Sequence, residues 1–243
     1  MLLCVYNTLS KKLMPNRSKS KNDFKSQNRN KKFPIVAVDV AIFSIKNNKL
    51  QVLLIKMKKV FFKNKWALPG GIVPIDKNID QAAMSELSQK TGVSDVYLEQ
   101  LYSFGDVSRD PFRRVVSVAY YALINSSGIR LKTTSKYGGV GWFPVKGCPD
   151  LAYDHDVILK KAIDRLKSKF AYSNVVYGLL SKKFTLFELQ QVYEIILEKK
   201  LDKRNFRKKI LSLGLIREVG IKKGESHRPA KIYAFTKRKL QFL

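Results

Sequence analysis

The fold turns on WALPGGIVPIDKNIDQAAMSELSQKTGV, residues Trp66 to Val93. Asn78 has the side chain of an N-cap, with Gln81 three residues further on. Ile79, Ala82, Ala83 and Leu87 recur at helical spacing, and Gly92 is a natural C-terminal stop. The pattern predicts a helix over 79–91, entered from a strand end at Trp66–Leu68, the Gly70-Gly71 pair and a loop. On that helix, positions 86, 89 and 90 are related by i, i+3 and i+4, so they share one face and can converge on one ion. They are Glu86, Gln89 and Lys90, whose formal charges of −1, 0 and +1 cancel. A hard divalent cation needs several oxygen ligands, and Lys90 repels one.

The rest of the chain points to a polyanionic partner. Its 243 residues are 45% hydrophobic and 11% aromatic, the profile of a globular protein with room for one large domain or two modest ones. A formal net charge of +28 is far from that of an ordinary metabolic enzyme and favours nucleic acid first and an acidic membrane surface second. Residues 1–33 carry 9 basic and 1 acidic side chains, 34–171 carry 21 and 12, and 172–243 carry 17 and 6, so both ends are the densest in positive charge. Cys4 and Cys148 make neither a disulfide framework nor a metal cluster, and both are expected to stay reduced. No apolar run approaches the length of a bilayer span. Met1–Tyr6 is too short for a signal peptide and has its basic residues on the wrong side. A cytoplasmic protein is expected.

Three segments follow in order. Residues 1–33, rich in Lys, Arg, Asn and Ser, read as a flexible basic tail. Residues 34–171 open with a hairpin about Asn47-Asn48, its strands carrying Ile35 to Phe43 and Leu50 to Ile55. After the predicted helix come strands at 96–104 and 114–124 and a short one at Trp142-Phe143-Pro144. The loop between the first two holds Arg109 and Arg113 and runs into Arg114. It reads equally well as a receiver for a diphosphate or as a surface loop whose arginines pair with Asp106 and Asp110. Asp154-His155-Asp156 opens an amphipathic helix with Ile158, Ala162 and Leu166 on its apolar side, and capping and the helix dipole account for the triplet better than a metal does.

Residues 172–243 form a second domain with a junction at 167–171. Val175–Leu180 predicts a short helix. Thr185-Leu186-Phe187-Glu188 is a capping box ahead of Leu189, Val192, Tyr193, Ile196 and Leu197, giving a helix over 186–198. Asp202 then caps a third helix running to Leu213 and closed by Gly214. Lys203, Arg204, Asn205, Arg207 and Lys208 occupy its exposed side, while Phe206, Ile210 and Leu213 point inward. Strands at 215–219 and 230–235 flank a basic loop with Lys222, Lys223, His227 and Arg228. This order is that of a winged helix-turn-helix whose third helix enters the major groove of double-stranded DNA.

The opening stretch resembles the Nudix signature, with Gly71 as its first glycine and Lys77, Ser85, Gln89 and Lys90 standing where that signature carries charged, mostly acidic residues. With both halves read, residues 34–238 resemble the Nudix-related transcriptional regulators of the NrtR family. The strings VYLEQLYSFGDVSRDPFRRVVSVAYYAL (96–123), LAYDHD (151–156), FTLFELQQVYE (184–194), LDKRNFRKKILSLGLI (201–216) and RPAKIYAF (228–235) carry the likeness. The resemblance implies an α+β chain: a Nudix-like α/β/α sandwich with a mixed sheet, then a winged helix. It also implies a homodimer on a palindromic operator, repression of genes for NAD synthesis or pentose use, and ADP-ribose or a related nucleotide as effector. Gly70, Gly71, Glu86, Arg109, Arg113 and Arg114 are the expected ligand-binding residues. No required cofactor, metal ligand or catalytic residue is expected. The competing reading is a magnesium-dependent hydrolase of nucleoside diphosphate derivatives, in which Glu86 is the residue on which any activity rests.

Overall fold

A computed structural model describes residues 33–58, 60–92, 96–132, 135–222 and 229–242. The basic tail up to residue 32, Val93, and Lys223, His227 and Arg228 of the wing lie outside the described residues. From Ile35 onward the chain forms one compact unit.

Strands β1 (Ile35–Lys46) and β2 (Lys49–Met57) make the expected hairpin. Asn47 and Asn48 both take positive φ, 51° and 54°, the conformation a tight hairpin turn demands and asparagine tolerates. The short strands β3 (Trp66–Ala67) and β4 (Gly70–Ile72) follow, then α1 (Ile79–Thr91), β5 (Tyr97–Phe104), β6 (Val115–Leu123) and β7 (Tyr137–Pro144). The sheet runs β3-β2-β1-β6-β5, with β4 also on β1 and β7 also on β2. It is mixed, because β1 and β6 are parallel and their neighbours antiparallel.

The period-2 alternation of β1 sends its side chains to two cores. Val38, Val40 and Ile42 pack with Ala82, Ala83 and Leu87 of α1. Ala41 and Phe43 pack on the other face against Ile158, Ala162 and Leu166 of α2 (His155–Tyr172). One helix on each face makes the α/β/α sandwich. Strand β7 is longer than the predicted Trp142–Pro144 because Gly138, Gly139 and Gly141 mask its alternation; it pairs with β2 from Tyr137 onward.

The second core does not stop at α2. Phe170, at the end of that helix, meets Tyr193 at a ring separation of 5.1 Å. From there the same apolar cluster continues through Leu189 and Ile196 of α3 (Leu186–Leu197), Ile210 of α4 (Lys203–Ser212), Ile216 of β9 (Ile216–Ile221) and Phe235 of β10 (Lys231–Phe235). Strand β8 (Phe184–Thr185) completes a three-stranded sheet in the order β8-β10-β9. The helix expected at 175–180 is instead a 3-10 turn, Val175–Gly178. Its β-branched pair Val175-Val176 disfavours a longer helix. A Cβ on Gly178 would lie 2.8 Å from that of Leu123, and Arg238 takes the carbonyls of Tyr177, Leu180 and Ser181. Residues 167–171 lie within the last turns of α2, which passes unbroken through the expected junction. Among the described residues no helix is long and apolar enough to cross a membrane.

Candidate functional site: a glycine-walled cavity and a basic winged helix

The opening stretch shapes a cavity of about 1150 Å³ between β1, β4, α1 and the loop before β6. Two glycines let its walls close. A Cβ at Gly70 would stand 2.2 Å from Asp39 Oδ1 and 2.5 Å from the Val38 carbonyl oxygen, so only glycine allows β4 to lie on β1 here. At Gly71 a Cβ would come within 3.0 Å of Glu86 Oε1. The helix that carries Glu86 is fixed at both ends. Asn78 and Gln81 form a reciprocal capping box, and Gly92, at φ 71°, returns its N–H to the Ser88 carbonyl.

Glu86 lines the cavity, and Lys90 lies one turn further along the same helix. Glu86 Oε2 is buried with no hydrogen-bond partner. Burial pushes the Glu86 carboxyl above its ordinary pKa, against the pull of Lys90 and Lys136. Lys90 is 1% exposed, its Nζ 4.4 Å from the centre of the Tyr137 ring. Desolvation lowers its pKa while Glu86 opposes the change. Gln89 turns to solvent and donates to Ser85 Oγ, which also receives the ammonium of Lys77, each at 3.2 Å. Magnesium does not fit this set: one carboxylate, one solvent-facing amide and one buried ammonium cannot supply its oxygen shell. Among the described residues no group of three or more His, Cys, Asp or Glu side chains is placed to hold a metal.

Another part of the lining is a buried polar cluster that the sequence reading did not assemble. Asp39, a lone charge in the apolar run of β1, accepts from Ser117 Oγ at 2.6 Å and from Arg109 Nη2 at 3.2 Å. Arg109 also grips Asp154 through Nε at 2.9 Å and Nη2 at 2.7 Å. His155 Nδ1 accepts the Leu68 N–H at 2.9 Å, so the ring proton sits on Nε2, 3.3 Å from Asp39 Oδ1. Burial opposes ionisation of Asp39, but His155, Ser117 and Arg109 outweigh it and hold its pKa at about 2. The capping reading of Asp154 needs correction: it precedes α2 without a side-chain cap bond, because its carboxylate is committed to Arg109.

The three arginines separate. Arg109 lines the cavity with its guanidinium already held by carboxylates. Arg113 lines it from an exposed position. Arg114 lies outside the lining and donates to the carbonyls of Asp106 and Val115. Asp106 and Asp110 fold the loop on itself by accepting the N–H groups of Ser108, Phe112 and Arg113. Sequence reasoning missed Lys58 and Lys136, which also border the cavity, and the exposed rings Phe61 and Phe112, which meet edge to face with centroids 5.2 Å apart. The one signal available for Asp39 was its isolation among apolar neighbours.

In the second half, Thr185 and Glu188 form the expected capping box of α3, and the Asp202 side chain accepts the Asn205 N–H to start α4. Glu194 sets the turn between the helices by accepting from the Leu201 N–H, Gln190 and Lys200, which holds its carboxyl at a pKa of about 2. Phe206 packs on Tyr193 and Ile210 is buried, which leaves Lys203, Arg204, Asn205, Arg207 and Lys208 all exposed along one helix. Lys222 follows β9 at the base of the wing.

A mixed sheet between two helices, closed over a glycine-walled cavity and continuing into a winged helix, defines a Nudix fold joined to a DNA-binding module. Models of the known families agree: the NUDIX domain matches residues 36–166, and the NrtR DNA-binding winged helix domain matches 176–235. The chain belongs to the NrtR family of Nudix-related regulators. It is 38% identical over 213 residues to the ADPR responsive transcriptional repressor NtrR of Acinetobacter baylyi, covering 86% of this chain and 85% of that one. The crystal structure of Shewanella oneidensis NrtR complexed with a 27mer DNA superimposes with a TM-score of 0.75 at 33% identity, over 83% of this chain and 93% of that one. The NUDIX domain of the same Shewanella protein, complexed with ADP ribose, aligns with a TM-score of 0.53 at 28% identity, over 60% of this chain and 99% of that domain.

Proposed function

We propose that this protein is a transcriptional repressor whose grip on operator DNA is set by an ADP-ribose-like nucleotide in the cavity. The observation that carries this reading is the union, in one compact unit, of a roomy cation-rimmed cavity without a magnesium ligand set and a helix with five exposed DNA-type side chains. Arg113, Lys58 and Lys136 border the cavity where a diphosphate needs positive charge, and Phe61 and Phe112 offer faces for a base. Gly70 and Gly71 supply the wall against which such a ligand lies. On the other module, Arg204, Asn205 and Arg207 have the donors and acceptors to read base edges, while Lys203, Lys208 and Lys222 neutralise phosphate. A homodimer places two such helices on the half-sites of a palindrome. The regulated genes are those of NAD synthesis or pentose use, and the effector works by favouring one arrangement of the dimer over the other.

Fluorescence anisotropy or gel shift on DNA from the promoter of its own operon, with and without ADP-ribose, tests this directly. A sequence-specific complex whose stability changes with ADP-ribose is expected. No specific complex at moderate salt, or one indifferent to ADP-ribose, sinks the reading.

A further inference from the structure

Position 90 poses a physical problem that the ligand reading does not answer. Burying an ammonium is costly unless a counter-charge or hydrogen bonds repay it, and a leucine or methionine at this point of α1 would cost nothing. Yet Lys90 is 1% exposed, and its charge lies over the ring of Tyr137 and is electrostatically coupled to Glu86 one turn back. Both Glu86 and Tyr137 line the cavity, so the ammonium stands one layer behind the wall. Lys136, in the turn before β7, and Lys77, in the loop before α1, add positive field at the same carboxylate, and Asp39 opposes them from β1.

We propose that Lys90 is a built-in counter-ion that takes the place of a divalent cation, so that the cavity binds a diphosphate ester without metal. This rests on the nucleotide reading above. The charge balance supports it. A lone Glu86 carboxylate on the wall repels an incoming diphosphate, and a bound dication is the usual way to reverse that sign. Here Lys90, one turn further along the same helix, offsets the charge of Glu86 in surroundings where solvent screens little, and the same ammonium repels any dication that approaches Glu86. Arg113, Lys58 and Lys136 at the cavity surface then meet the phosphates directly.

Isothermal titration of the full chain with ADP-ribose, in EDTA and in millimolar magnesium chloride, decides the matter. The unmodified protein is expected to bind equally in both buffers, within about two-fold. Lys90→Glu is expected to lose at least ten-fold in EDTA, about 1.4 kcal/mol, and to regain most of it with magnesium. Lys90→Met is expected to lose about as much in EDTA and to regain little. Binding by the unmodified protein that collapses in EDTA overturns the proposal, as does a folded Lys90→Glu chain that binds equally well in both buffers. If circular dichroism shows Lys90→Glu unfolded, undiminished binding by Lys90→Met in EDTA overturns it instead. Inorganic pyrophosphate serves as a second probe. Metal-free uptake of pyrophosphate without binding of ADP-ribose refutes the nucleotide reading and leaves the counter-ion standing, whereas binding of neither probe overturns both.

Discussion

Replacing Arg109 with leucine removes the one cation that holds Asp39 and Asp154 together, and the size of the effect follows from the burial of each group. The Arg109 side chain is 4% exposed, that of Asp39 9% and that of Asp154 17%. Leaving a buried carboxylate without its partner costs about 3 to 5 kcal/mol. Asp39 keeps Ser117 and His155, and Asp154 can take up water, so the lower end, about 3 kcal/mol, is the expected loss. For a unit of this size, that corresponds to a fall in Tm of roughly 6 to 12 °C. The pH dependence gives a second reading of the same cluster. Because Asp39 titrates at about 2 in the folded protein against 3.8 as a free group, it stabilises the fold above pH 4 and loses that contribution as pH falls towards 2. In Arg109→Leu the folded value rises, so the acid limb of the stability curve becomes shallower over this window. Thermal melts at neutral pH and urea titrations between pH 4 and 2, both followed by circular dichroism, measure the two effects. A variant that melts within about 2 °C of the parent, with an unchanged acid limb, refutes the assignment of this cluster as a stabilising network.

Three further outcomes are expected. Gly70→Ala drives a Cβ onto the Val38 carbonyl and the Asp39 carboxylate, and should cost about 3 kcal/mol or more and abolish ADP-ribose binding, measured by thermal melts and calorimetry. Lys208→Ala should weaken operator and random DNA alike and reduce the slope of log K against log salt by about 1, whereas Arg204→Ala should lower the preference for operator over random DNA; anisotropy at several salt concentrations separates the two. Thr185→Ala removes the reciprocal cap of α3 and should destabilise the protein by about 1 kcal/mol, with a larger proportional loss of DNA binding if the start of α3 positions α4.

The elements with strong local grammar were legible in the sequence. Asn78 with Gln81, Thr185 with Glu188, and Asp202 each announce a helix start by chemistry that operates within four residues, and each cap is present. The exposed row from Lys203 to Lys208 was equally readable, because Phe206 and Ile210 fix which side of α4 faces inward. What escaped depends on distance along the chain. Asp39, Arg109, Ser117 and Asp154 are joined by hydrogen bonds that span 45, 70 and 78 residues of chain, and no local pattern links them. Lys90 was legible as a charge but not as a buried one: its depth comes from β7, which brings Tyr137 over it, and glycines had hidden most of that strand. The short 3-10 turn at Val175–Gly178 was set by Leu123 and Arg238, both far away in sequence.

The unbroken run of α2 has a mechanical consequence. Its 18 residues make a rod about 27 Å long. His155 at one end is hydrogen-bonded into the cavity wall, and Phe170 near the other is wedged against Tyr193. A rod of that length turns each degree of tilt about its first turn into roughly 0.5 Å of travel at its far end. With no hinge between, the geometry gives α2 the properties of a pointer, in which a small angle at the cavity is read out as a displacement at the reading head.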